Sequence, residues 1–509
     1  MNTEIEEYTT KEKNREAKWF KTEHLTGDLK NRSVKSGLNT LSVQAISFLM
    51  TTGQTAIMGR LLTPEDYGLV AMTAVVTGLI TTLGNINLSV AVIQKDHIKQ
   101  SEVSSAFWIN LLILLGVALL IAILAPVLGY VYNEPRVVNI TLVSALGIFL
   151  GSLAIQHDAL LKRQMQFKKI AFIQLGSSLG SIISGILLAY LGFGYWAIVM
   201  MGIVYPSLFS MAVWFACDWR PTFKMSFEEA SPFLKFGARV TGFDFFNYFA
   251  RNMDNFFIGK YVGSAGLGIY SKAYQLLMLP ISQLRNPLNS VALPALSTLQ
   301  DDQVKYMKFY KQYLFLLAFI TMPTVVYLAV FSEELILIVL GDQWQAAGYI
   351  FRILAISAFI HPVLGTTGLI LVTSGQVKKH FRIGWINALF MVLGFAIGVQ
   401  WGIAGVAISQ VVVLYLSLLP ILVYTFQGTS LSVVAFFKEI AFPISFSLIS
   451  GMAMYILKTN FSQFPAVLLC GFGLFLGGIL YILLWYISPA SRQRFNQILD
   501  MKSTFLKKK

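Results

Sequence analysis

The chain has 509 residues, of which 56% are hydrophobic and only 13% charged, with a mean hydropathy of +0.65. Soluble domains carry about 25% charged residues, so disorder, a collagen-like fibre and a nucleic-acid binder with a large solvated face are excluded. Two cysteines, Cys217 and Cys470, exclude a disulfide framework and a multi-cysteine metal site, and the formal charge of +14 takes its meaning from where the cations fall.

A helix crosses the ~30 Å hydrocarbon layer of a bilayer with about 20 mainly apolar residues. In chain order, fourteen such stretches are predicted, at 38–59, 69–93, 106–129, 139–160, 170–191, 195–216, 238–258, 267–293, 312–332, 347–373, 383–401, 406–427, 440–457 and 464–487. The expected fold class is therefore an all-α polytopic membrane protein, with its long polar segments in an N-terminal tail, 1–36, and a C-terminal tail, 488–509. The first stretch follows a mixed-charge tail without a small-residue cleavage site, so it reads as an uncleaved signal-anchor.

An even span count puts both termini on one side. Thirty of the 39 Lys and Arg residues then lie in the tails and in the connections 94–105, 161–169, 217–237, 295–311, 374–382 and 428–439. Four lie opposite (Arg60, Arg136, Lys260 and Lys458), and five lie within spans (Arg239, Arg251, Lys272, Arg285 and Arg352). Cytoplasmic connections collect Lys and Arg, so both termini are expected in the cytoplasm. The basic balance is a topology signal, and nucleic-acid binding by Lys162-Arg163 or Lys507-Lys508-Lys509 is poorly motivated.

The chain also matches itself. Gly59-Arg60-Leu61-Leu62-Thr63-Pro64-Glu65-Asp66-Tyr67-Gly68-Leu69 precedes Gly259-Lys260-Tyr261-Val262-Gly263-Ser264-Ala265-Gly266-Leu267-Gly268-Ile269 by 200 residues. Asn85-Ile86-Asn87-Leu88-Ser89-Val90-Ala91 matches Asn286-Pro287-Leu288-Asn289-Ser290-Val291-Ala292 at 201, and Gln166-Phe167-Lys168-Lys169 matches Gln376-Val377-Lys378-Lys379 at 210. Two six-helix halves are expected, 37–216 and 238–427, joined by the cytoplasmic connection 217–237 and followed by two additional spans within 428–487. Because six is even, the halves share an orientation and a pseudo-two-fold axis along the membrane normal, a plan on which transporters place a path between halves.

The first and seventh spans carry polar stripes at this offset. Gln44, Ser47, Thr51, Gln54 and Thr55 correspond to Asp244, Asn247, Arg251, Asp254 and Asn255, at spacings that align each set along one side of a helix. Such a stripe is costly against lipid, roughly 2.5–3.5 kcal/mol per central charge on the lenient insertion scale. It must face protein or water. Arg251 and Asp254, three residues apart, can neutralise each other, or Arg251 can serve as a cavity cation. Asp244 has no sequence-local partner, and Asp244 and Asp254 are the candidates for coupling an ion. The eighth span adds Lys272, Gln275, Ser282, Asn286 and Asn289, interrupted by Pro280 and Pro287, and proline lets a helix bend beside a cavity. Lys272 and Arg352 lie near span ends, where they can also snorkel, as Arg239 can; Arg285 lies deeper. His361, before Pro362, reads as a hydrogen-bonded structural histidine, and His157-Asp158 as interfacial.

Other signatures are missing from the sequence. It holds no Gly-x-x-x-x-Gly-Lys-Ser/Thr phosphate loop, no Cys/His set with metal-ligand spacing, and no outer connection long enough for a catalytic domain. Neither a cofactor nor an enzymatic role is expected.

The pattern 59–69 after the first span, followed by Asn85 and then by Ser89-Val90-Ala91-Val92-Ile93-Gln94 closing the second, resembles the polysaccharide-transporter family of the multidrug/oligosaccharidyl-lipid/polysaccharide exporter superfamily. The likeness extends over essentially all of 35–487 and is nearest to Wzx-type lipopolysaccharide and exopolysaccharide flippases. It implies a bacterial cytoplasmic-membrane protein that flips a lipid-linked oligosaccharide on polyprenyl pyrophosphate. It further implies alternating access coupled to a proton or sodium gradient. A pyrophosphate calls for cations, which Arg251, Lys272, Arg285 and Arg352 supply. Sugar hydroxyls call for hydrogen-bonding partners, which Gln44, Gln54, Asn85, Asn247 and Asn289 supply. The alternative, an ion-coupled exporter of small drugs from the same superfamily, calls for an acidic cavity, whereas the balance within the spans is basic.

Overall fold

The computed structural model describes residues 19–20, 29–84, 88–95, 97–223, 248–249, 251–427, 429 and 431–496. Among these residues the regular structure is helical, without a strand. Packing divides the chain between Gly268 and Ile269, inside the second of the two halves expected from the sequence.

The first unit holds α1 (Leu29–Leu61), α2 (Pro64–Gly84), α3 (Leu88–Gln94), α4 (Gln100–Tyr132), α5 (Arg136–Ser152), α6 (Ile155–Arg163), α7 (Phe167–Tyr190) and α8 (Trp196–Ala216). Helical residues 248–249 and 251–261 belong to it as well, along with the first turn of α9 (Ser264–Thr298). Three contacts hold this last segment to the first unit. The Tyr248 hydroxyl donates to the Ala74 carbonyl at 2.9 Å, the Lys260 ammonium donates to the Val131 carbonyl, and Gly68 meets the backbone of Ser264.

The second unit continues α9 and holds α10 (Gln303–Val330), α11 (Ser332–Leu340), α12 (Gln345–Leu364), α13 (Thr366–Thr373), α14 (Val377–Gly398), α15 (Gly402–Phe426), α16 (Val433–Asn460) and α17 (Ala466–Leu484). Its main core joins Tyr310, Leu314, Met322, Val363, Leu422 and Phe436. The two last helices are fastened to α10 by an aromatic cluster in which Phe315, Phe319, Phe446 and Tyr481 surround Trp485.

Lipid offers the backbone no hydrogen bonds, so the chain stays helical and turns tightly between helices. Gly263, at φ +96, makes one such turn: its N–H and that of Val262 both donate to the Ile258 carbonyl. A left-handed φ of this kind suits glycine, which has no Cβ to clash.

Local features recur at the expected offset. The fourth predicted span breaks between α5 and α6, at Leu153-Ala154, and the tenth breaks between α12 and α13, at Gly365. Each is followed by a positive-φ residue, Met165 (φ 52) and Gly375 (φ 73), and then by Gln166 or Gln376 at the start of the next helix. The Lys169 ammonium donates to the Ala216 carbonyl at 2.6 Å, and that of Lys379 to the Gln427 carbonyl at 2.9 Å. In both cases a lysine satisfies a carbonyl left open at a helix end.

Nine helical segments among the described residues are long and apolar enough to cross a membrane, and one of them, Val377–Phe426, holds two of the predicted stretches. The chain is a multi-pass membrane protein. Helices α1, α2 and α9 fall outside that set, and α1 and α9 carry the predicted polar residues.

Candidate functional site

On α1, Gln44 is exposed, while Gln54 turns toward α8, its amide nitrogen 3.8 Å from the Met201 sulfur. Thr55 is buried and returns its hydroxyl to the Thr51 carbonyl at 2.8 Å, the usual way a helix hides a hydroxyl from an apolar neighbour. The stripe therefore splits along its length, one part facing outward and the other packed on α7 and α8.

Asn85, Asp244, Asn247 and Arg239 lie outside the described residues. Of the segment that follows them, Arg251 is exposed and Asp254 is buried at 7% exposure. One Asp254 carboxylate oxygen accepts the Asn255 N–H at 2.8 Å, and the Asn255 side-chain oxygen is itself buried without a hydrogen-bond partner.

In the second unit, α9 supplies three of the predicted residues. Lys272 is buried, and its ammonium donates to the Gln275 side-chain oxygen at 2.9 Å. Close by in sequence, the Tyr270 hydroxyl donates to Gln410 on α15 at 2.9 Å. Arg285 and Asn289, one turn apart, meet a common neighbour on α10: the Tyr313 hydroxyl donates to the Asn289 side-chain oxygen and lies within electrostatic reach of Arg285. The Arg285 guanidinium rests against the α12–α13 break, one terminal nitrogen 3.6 Å from where a Cβ on Gly365 would sit, and its Nε is buried without a hydrogen-bond partner.

Arg352 is placed elsewhere. Its guanidinium pairs with Glu333 at 2.7 Å and reaches the Ser332 hydroxyl at 3.4 Å. Adjacent Glu334 binds Lys458 at 2.8 Å, and Lys458 also donates to the Val330 carbonyl at 3.0 Å. This ion network ties α10, α11, α12 and α16 together at one end of the unit.

A row of tyrosines beside Arg285 was not singled out from the sequence. Tyr306, Tyr310 and Tyr313 on α10 share hydrogen bonds with Thr373 (2.7 Å), Thr366 (2.8 Å) and Asn289. Their spacing of four and three residues, which places them on one helix side, was the available signal. His157, expected at an interface, is fully buried, stacked on Trp214 at 4.3 Å and edge-on to Trp219 at 5.1 Å. Two indole rings shield it from water despite its place near a helix end. Among the described residues, no group of His, Cys, Asp or Glu side chains could hold a metal ion.

Arg285, Tyr313 and Asn289 thus combine a fixed cation, with an open N–H, and neutral hydrogen-bonding groups at a helix break. That chemistry suits an anionic head carrying hydroxyls.

Comparison with known proteins gives the lineage. The family described as "Polysaccharide biosynthesis protein" matches residues 57–349. The lipopolysaccharide biosynthesis protein WzxC of Escherichia coli (strain K12) is 23% identical over 368 residues, 71% of this chain and 74% of that protein. The teichuronic acid biosynthesis protein TuaB of Bacillus subtilis (strain 168) is 22% identical over 469 residues, 84% of this chain and 95% of its own length. Among solved structures, the lipid II flippase MurJ in an inward closed conformation superposes with a TM-score of 0.72 at 15% identity, covering 88% of this chain and 98% of that one. At that identity the likeness establishes the fold.

Proposed function

The chain belongs to the family of polysaccharide biosynthesis proteins, and on that premise we propose that it moves a lipid-linked oligosaccharide across the cytoplasmic membrane for assembly of a surface polysaccharide. It is a transporter rather than an enzyme. The passenger is a glycan on polyprenyl pyrophosphate, whose lipid tail stays in the bilayer while the charged head crosses. Movement is by alternating access, drawing on a proton or sodium gradient. Both termini are cytoplasmic, in keeping with the distribution of Lys and Arg.

One observation carries the reading. Arg285, within a predicted span, keeps a buried N–H without a hydrogen-bond partner beside the Tyr313–Asn289 pair. A buried donor of this kind costs stability, and a pyrophosphate oxygen satisfies it when substrate is bound. Lys272 and Arg251 add cation character along the polar helices, Gln44 and Gln54 add hydrogen-bonding groups, and buried Asp254 is the described candidate for ion coupling. Arg352, already held by Glu333, contributes least to this reading.

The test is reconstitution in vesicles that contain a polyprenyl-pyrophosphate oligosaccharide, with head-group exposure followed by lectin binding or enzymatic trimming. Exposure of the glycan on the far leaflet, faster with an imposed proton or sodium gradient, is the expected result. No movement of any lipid-linked glycan by folded protein would reject the reading.

A further inference from the structure

Away from the polar helices, the first unit contains an open cavity of about 250 Å³ at the break between α5 and α6. Ser89 and Ile93 of α3, Asp158 and Lys162 of α6, and Tyr205 and Phe209 of α8 line it. Pro206 and Gly151 also line it, a Cβ on Gly151 lying 3.5 Å from the Pro206 ring, an ordinary contact. Helix α6 ends in Lys162 and Arg163, and the segment Arg136–Arg163 is 28 residues long. At 1.5 Å per residue that is about 42 Å, longer than the ~30 Å hydrocarbon layer. Asp158 and Lys162 lie in the last two turns of that segment, which this reading sets at head-group depth.

Its chemistry is that of a dipole set among apolar walls. Asp158 and Lys162 pair at 2.5 Å through one carboxylate oxygen, while the other carboxylate oxygen is buried and has no hydrogen-bond partner. The Lys162 side chain is 43% exposed, so its ammonium can turn toward a ligand. Tyr205 stacks on Phe209, with centroids 6.0 Å apart and planes at 9°, and its phenol lies within electrostatic reach of Asp158. An occupant that matches this set needs an N–H cation for Asp158, an anion for Lys162 and an apolar continuation along Ile93 and Phe209.

We propose that this cavity is a binding site for a phospholipid with a primary-amine, zwitterionic head group, of the phosphatidylethanolamine type. The ammonium donates to the Asp158 carboxylate, the phosphate accepts from Lys162, and the acyl chains leave along the apolar wall. A trimethylated head group has no N–H to donate, and an anionic glycerol head group meets the Asp158 carboxylate, so each binds more weakly. The site is separate from the residues assigned to the transported glycan and does not depend on that assignment.

The test is native mass spectrometry of the delipidated full-length protein with phosphatidylethanolamine, phosphatidylcholine and phosphatidylglycerol of identical acyl chains. A several-fold preference for phosphatidylethanolamine is expected, lost in Asp158→Asn with binding of phosphatidylcholine unchanged, whereas Lys162→Met, which removes the phosphate contact, weakens binding of both lipids. Equal binding of the three lipids, preference for phosphatidylglycerol, or a preference that survives Asp158→Asn would overturn the proposal. Glycerophosphoethanolamine, which lacks acyl chains, should not displace the lipid at equal concentration; displacement would assign the cavity to a soluble zwitterion instead. If either variant fails to fold, the head-group preference of the wild-type protein decides the matter.

Discussion

Gly68 and Gly268 stand at a reciprocal backbone crossing. A Cβ on Gly68 would lie 1.7 Å from the Ser264 carbonyl oxygen, and one on Gly268 would lie 1.8 Å from the Pro64 carbonyl oxygen. Pro64 and Ser264 are 200 residues apart, as are the two glycines, so each repeat offers the same pair of positions to the other. The obstacle is main chain, which cannot swing aside like a flexible side chain. Alanine at either glycine forces the helix starts apart and is expected to destabilise by about 1–3 kcal/mol. The two single substitutions should be alike, and the double less than additive, because they disrupt one crossing. Thermal unfolding in detergent measures this.

Arg163 is a buried cation with structural work. At 5% exposure it donates to the Val92, Ile93 and Lys95 carbonyls at 3.0, 3.2 and 2.6 Å and to the Phe20 carbonyl at 3.1 Å, while Gln164 donates to the Trp19 carbonyl at 2.9 Å. It thereby binds the end of α3 and the buried Trp19-Phe20 pair at once. Arg163→Ala should cost about 3 kcal/mol or more, since hydrogen bonds to a charged group contribute about 1.5–3 kcal/mol each. Arg163→Lys should rescue little, because an ammonium cannot span the fork. The unfolding midpoints of both variants check this.

Arg285 and Tyr313 separate charge from geometry at the candidate site. Arg285→Ala is expected to abolish surface glycan in cells without lowering the amount of protein in the membrane. Arg285→Lys should retain part of the activity, keeping the charge but not the planar donors. Tyr313→Phe removes the bond to Asn289 and should cost about 1 kcal/mol of stability, together with a several-fold fall in transport. Glycan staining and vesicle assays read these effects.

Outside the spans, Glu134 supplies a pH dependence of defined sign. The Arg136 guanidinium hydrogen-bonds its carboxylate at 2.8 Å and holds its pKa below the ordinary value. A lowered folded-state pKa gives stability that is present above the unfolded value, about 4.3 for glutamate, and is lost as pH falls through the folded value. The pair is partly exposed, so the effect is at most about 0.5 kcal/mol. Unfolding midpoints should fall slightly more between pH 6 and pH 4 in the wild-type protein than in Glu134→Gln.

The helices themselves were legible because a bilayer imposes a length and a composition that appear directly as apolar runs. The Gly68 and Gly268 signature was legible too, as a repeated string, but not the collision it avoids. Sequence set Arg352 near a span end and Arg285 deeper, but the partner of neither was legible, since both are cations in apolar surroundings. Glu333, nineteen positions before Arg352, occupies the one, while the other meets Tyr313 and the Gly365 break.

By itself, then, the sequence determined the membrane-spanning class and displayed the repeated strings, because these follow from local hydropathy and from comparing the chain with itself. Tertiary structure alone decided which cations are spent on holding the protein together. Arg163 closes on Phe20 across 143 positions and Lys458 on Glu334 across 124, and no local pattern encodes a contact at such distance. Packing brings those partners within reach, and desolvation then makes an unpaired charge too costly to leave alone.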